Sequence, residues 1–179
     1  MNQTQKPLAP CRRPGTLRLL ASAGWLLLAI TWGMSIYAYR RLPQDMASWT
    51  SLWVKDVFRV DKSVFFFVYP LAQTVVLLAI RALAKAYFLR PEAHRLSVEA
   101  AGRDLEVQER LIDLKKETVS LIVIFCNLIF IHLQTSLVLL SHRLASGVNH
   151  FYLIMLLAVL FILIPYYAIR RRLLLRTLY

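Results

Sequence analysis

Residues 119–140 read VSLIVIFCNLIFIHLQTSLVLL, a run with no Lys, Arg, Asp or Glu. As an α-helix rising 1.5 Å per residue it is about 33 Å long, enough to cross a hydrocarbon core of roughly 30 Å. Apolar runs of comparable length occupy 17–39, which carries Arg18 at its start, and 63–80 and 150–169, which carry no such charge. Of the 179 residues, 58% are hydrophobic and 18% charged, which is too apolar for an ordinary soluble domain. The expected fold is therefore all-α: an integral membrane four-helix bundle, with a tail at 1–16 and one membrane domain at 17–179. No internal repeat divides it.

The charges orient the bundle. Sixteen Lys and Arg fall in the N-terminal segment, the 81–116 connection and the C-terminus, and six fall in the two other connections. Cytoplasmic segments retain basic residues, so both termini are expected on the cytoplasmic side. This placement accounts for the net charge of +12 without nucleic acid, and no segment interleaves aromatic and basic residues as a single-strand binding face does. Arg81, Lys85, Arg170, Arg171 and Arg172 are read as anchors to anionic lipid headgroups; for Arg81 and Lys85 lipid contact is the first reading and a quinone the second.

Between the second and third runs, 92–117 reads as an amphipathic cytoplasmic helix. Val98, Leu105, Ile112 and Val119 recur every seven residues, and Glu99/Arg103 and Glu106/Arg110 lie at i, i+4. Such a helix either lies on the headgroups and bundle or docks a partner. Pro91 is expected to break the chain before it. The outer connection, 40–62, carries Trp49 and Trp53 four residues apart, which predicts a short interfacial element. The 141–149 connection is expected to be a tight turn around Gly147. In the first run Trp25 and Trp32 stand a heptad apart, among small residues Ala21, Gly24, Ala29 and Gly33 that permit close helix approach. Pro165 is expected to bend the last run.

Polar side chains at membrane depth mark the bundle interior. Ser120, Asn127 and Gln134 repeat at seven residues in the third run and share a face, with Ser141 continuing the series. Interhelical hydrogen bonding is the first reading of this seam, and a polar or proton-conducting path the second. His132 lies on another face of the same run. It is first a hydrogen-bonded structural residue, and as a haem ligand it would need a second histidine at matching depth. Cys11 and Cys126 form neither a disulfide framework nor a metal motif. No catalytic group, metal site or cofactor is expected.

Leu42-Pro43 after the first run, then Trp49, Asp56, Lys62-Ser63 opening an aromatic-rich span, and Pro70 make residues 20–80 resemble a bacterial membrane domain of unknown function. That domain is found at the N-terminus of SdpI-type toxin-immunity proteins. The resemblance implies a non-enzymatic protein of the bacterial inner membrane, with any extracytoplasmic binding role on the 43–62 connection. Together these readings lead to an expected accessory subunit of a larger membrane complex, with other membrane subunits and anionic headgroups as partners. An autonomous immunity or sensor protein and a redox or quinone-interacting subunit are the alternatives.

Overall fold

The structure is a computed structural model that describes residues 14–52, 57–89, 101–145 and 147–176. Four long helices dominate it: α1 (Pro14–Arg41), α2 (Val68–Leu83), α3 (Ala101–Ser141) and α4 (His150–Arg176). A 3-10 turn (Val64–Phe67) leads into α2 and a π turn (Ala84–Phe88) follows it without a break. Helical stretches Gly15–Arg41, Val64–Phe88, Gln108–Ser141 and His150–Leu175 are each long and apolar enough to cross a membrane. The chain thus has the make-up of a multi-pass helical membrane protein. In lipid a helix satisfies its backbone internally, which is why these runs adopt it.

Helix α3 is the axis, packing extensively against α1, α2 and α4. The face that α1 turns inward follows coiled-coil spacing: Gly24, Leu28, Thr31, Ser35 and Ala38 are all buried. Thr31 and Ser35 donate to the carbonyls of Leu27 and Thr31, four residues back, so their hydroxyls are satisfied at 2.9 and 2.7 Å within the helix. Gly24 marks the closest approach of α1 to α3. A Cβ there would sit 2.7 Å from Cγ1 of Val123. The other small residues of α1 act differently: Ala29 and Gly33 face outward. Trp25 is exposed, whereas Trp32 stacks on Phe67 and donates to the Thr74 hydroxyl at 3.1 Å.

At one end of the bundle the α1–α2 connection folds into a cap. Two three-residue strands, β1 (Asp45–Ala47) and β2 (Arg59–Asp61), pair antiparallel with Met46 opposite Val60, and the 3-10 turn Trp49–Leu52 lies between them. Met46, Ala47 and Leu52 pack with Phe66, Leu137 and Leu140 into the larger of the two cores. Ser141 ties the cap to α3, accepting from the Ala47 amide at 3.2 Å and donating to the Leu137 carbonyl at 2.8 Å. Where the sequence predicts a short element, the described residues form two paired strands. Trp49 is partly exposed there and its carbonyl accepts from the Tyr69 hydroxyl at 2.9 Å. Trp53 and Asp56 lie outside the described residues.

Three boundaries differ from the sequence reading. The segment expected as a separate helix at 92–117 is, from Ala101 onward, continuous with the third span, while 92–100 and Pro91 lie outside the described residues. At 41 residues α3 is about 62 Å long, twice the hydrocarbon thickness, so its first turns project beyond the apolar layer. The second helix continues past residue 80, carrying Arg81 on α2 and Lys85 on the π turn. In the α3–α4 connection the left-handed residue is Arg143 (φ 59°), whereas Gly147 has no positive φ. Leu144 and Arg143 donate to the carbonyls of Leu139 and Leu140 at 2.9 and 3.1 Å, which is a Schellman closure of α3. Helix α4 runs through Pro165 without interruption.

Candidate functional site

The residues singled out by sequence separate into two zones of the bundle. Asn127 is the centre of the first. Its carboxamide oxygen accepts from Nε2 of Gln73 on α2 at 2.5 Å, and its Nδ2 donates to the carbonyls of Val123 at 2.9 Å and Gly24 on α1 at 3.3 Å. One side chain thus joins three helices, and it can do so because Gly24 lets the α1 backbone come within reach. Gln73, missed in the sequence, is 1% exposed and is the amide partner that the seam requires. Its signal was the single carboxamide of the second span.

Gln134, one heptad beyond Asn127, is equally buried but behaves otherwise. Neither of its amide atoms has a hydrogen-bond partner among the described residues, and neither has Oε1 of Gln73. Burying an unpaired amide is costly. The heptad spacing therefore places Ser120, Asn127, Gln134 and Ser141 on one face, but it does not make them one continuous hydrogen-bonded path: Ser141 serves the hairpin, and of these four only Asn127 bonds to another helix among the described residues.

His132 is remote from this cluster in its contacts. Its Nε2 lies 3.3 Å from the Asn149 carbonyl and its ring meets Tyr152 with centroids 4.7 Å apart. Asn149 in turn accepts the Tyr152 amide at 3.2 Å through Oδ1, capping α4. The histidine thus supports the entry of α4. Among the described residues no three of His, Cys, Asp and Glu come together.

The second zone lies at the opposite end from the hairpin, where the start of α1, the end of α2 with its π turn, and α3 diverge. Between them lies an open cavity of about 690 Å³ whose walls include Leu17, Ala21, Leu89, Val119, Ser120 and Val123. Arg18, Arg81, Lys85 and Lys116 line it too, against one carboxylate, Asp113. Lys116 pairs with Asp113 at 3.6 Å. Arg81 is held from two sides, its Nη2 donating to the Ala21 carbonyl at 2.9 Å and its guanidinium stacked 4.6 Å above the Trp25 ring. A guanidinium has five N–H donors, so this fixing leaves others to bind with. Arg18 and Lys85 have no ion pair or hydrogen bond among the described residues.

A local backbone feature accompanies the opening. The Leu89 amide bonds to the Ala84 carbonyl five residues back at 2.7 Å, a π-type bond that widens the helix where Lys85 and Leu89 reach the cavity. Two anchors named from sequence thus share one site, together with Ser120 of the seam. Of the C-terminal arginines, Arg170 is engaged within the bundle. Arg170 reaches Glu117 of α3 at 3.5 Å and donates to the Tyr166 hydroxyl at 2.7 Å, while Arg172 is exposed. Arg171 is half-buried. Glu117, two residues before the expected start of the third span, is the buried acid that the sequence reading left outside the membrane region.

Comparison with known proteins gives no match to a family model, a curated protein or a solved structure.

Proposed function

We propose that this protein is a non-catalytic accessory subunit of a larger membrane complex in the bacterial inner membrane, with both termini on the cytoplasmic side. The observation that carries the reading is the unequal packing of the four helices. Helix α4 has its extensive contact with α3 alone, reinforced at one end by Arg170 on Glu117 and by Phe88 against Tyr167 at 5.2 Å. Along the rest of α4, Phe151, Ile154, Phe161, Ile162 and Ile164 point away from the bundle. Lipid covers such a face, but so does a neighbouring helix, and helices associate in bilayers by close packing of such surfaces.

The orientation rests on the same end-to-end asymmetry. Arg18, Arg81, Lys85, Lys116 and Arg170 gather at the end away from the hairpin, and a cytoplasmic surface retains such residues. The polar groups inside the bundle serve cohesion: Asn127 holds three helices at one level, and His132 steadies the start of α4.

Native electrophoresis from mild detergent tests the subunit reading. The expected result is a species larger than the 20.7 kDa chain in its micelle, cross-linked to a second polypeptide from a photoreactive residue at position 161 and dispersed by Phe161→Ala with Ile164→Ala. A chain that migrates alone and cross-links only to lipid from position 161 contradicts it.

A further inference from the structure

We propose that the cavity between α1, the π turn and α3 is a binding site for an anionic phospholipid, its phosphate held by Arg18, Arg81 and Lys85 and an acyl chain lying against Leu17, Val119 and Val123. Three observations point to this occupant. The volume, about 690 Å³, falls within the roughly 300–1,000 Å³ of ordinary ligand sites. Its charge is strongly one-sided, with four basic groups against a single carboxylate that is already paired with Lys116. Its apolar walls, finally, would give nothing to a small hydrated anion but match a chain that continues from the phosphate into the membrane.

The arginine is preorganised for the task. The Ala21 carbonyl and the Trp25 face hold the guanidinium of Arg81 before any ligand arrives, so less side-chain entropy is lost on binding. Trp25 and Leu19 are exposed on the same stretch of α1, so the site borders the surface that lipid covers. Planar guanidinium and point-charge ammonium then present complementary donors to one phosphate. This assignment does not depend on a second protein against α4, and the two readings fail separately.

The test is native mass spectrometry of the full chain released from vesicles holding equal parts of phosphatidylglycerol and phosphatidylcholine with matched acyl chains. The expected result is about tenfold preferential retention of phosphatidylglycerol. The Arg18→Gln, Lys85→Gln double variant is expected to lose that preference, because neither side chain has a structural bond among the described residues. Val119→Phe, which fills the apolar wall without changing charge, is expected to lower retention of both lipids. Arg172→Gln, an exposed charge at the same end, is expected to change the preference less than twofold. Equal retention of the two lipids by a folded wild-type chain, or retention of neither, overturns the proposal. So does complete displacement of the lipid by millimolar inorganic phosphate, which would identify a free anion as the ligand.

Discussion

At the hairpin end Phe66, Met46 and Leu137 are buried to within 1% against one another, whereas at the other end Arg18, Arg81, Lys85 and Lys116 surround open space. The first end is closed by apolar packing and by Ser141 stitched to the hairpin backbone. At the second, three helices spread and their charges face a shared cavity. Such a bundle is held together at its closed end, and the proposed lipid site lies at its open one. Changes at the two ends should therefore have separable consequences.

The largest loss of stability is expected from Phe66→Ala, which empties the centre of the closed end and should cost about 3–5 kcal/mol. Thermal unfolding in detergent would show it as a drop in midpoint, with lipid preference unchanged in the fraction still folded. Equal damage to stability and lipid preference would break the division between the ends. Gly24→Ala comes next. Its Cβ would meet Val123 at 2.7 Å, and overpacking of this kind costs about 1–3 kcal/mol. Because Val123 also lines the cavity, this variant is expected to disturb both stability and lipid retention.

Within the bundle, Asn127 and Gln134 are a paired test of what a buried amide is worth. Asn127→Leu removes bonds to Gln73 and Gly24 and is expected to destabilise by about 0.6–2 kcal/mol. Gln134→Leu removes no bond among the described residues and is expected to leave the midpoint unchanged or raise it. A loss at Gln134 as large as at Asn127 would mean that its amide is satisfied in the membrane. The smallest effect is expected at the turn. Arg143→Gly relieves a left-handed conformation in the Schellman closure and should stabilise by about 1 kcal/mol, seen as a slightly higher midpoint.

The contrast between the ends was only partly legible in the sequence. Four spans and the clustering of basic residues could be read directly, because a run such as 119–140 has one low-energy solution in lipid and the flanking charges cannot enter it. The seam at Asn127 was visible through its heptad spacing, but its partner Gln73 stood alone in its span and had no period to reveal it. The cavity was invisible, since it depends on how far three helices diverge, and the π turn that opens it at Lys85 has no composition signature. The hairpin was hidden for a related reason: strands of three residues are too short to alternate, and no Asn-Gly turn announces them. The continuity of α3 did leave a trace, as the heptad positions Leu105, Ile112 and Val119 run into the third span with no proline or glycine between them.

All of these readings require the two ends to face different aqueous compartments, and single-cysteine labelling measures that directly. With Cys126 replaced by alanine, the remaining Cys11 and, in a separate variant lacking Cys11, a cysteine at Trp49 are each exposed to a membrane-impermeant maleimide in intact cells whose outer membrane has been made permeable. The expected result is labelling at position 49 before, and at Cys11 only after, the inner membrane is lysed. Labelling of Cys11 in cells with an intact inner membrane would contradict the orientation, and labelling of both positions there would contradict the four-span bundle itself.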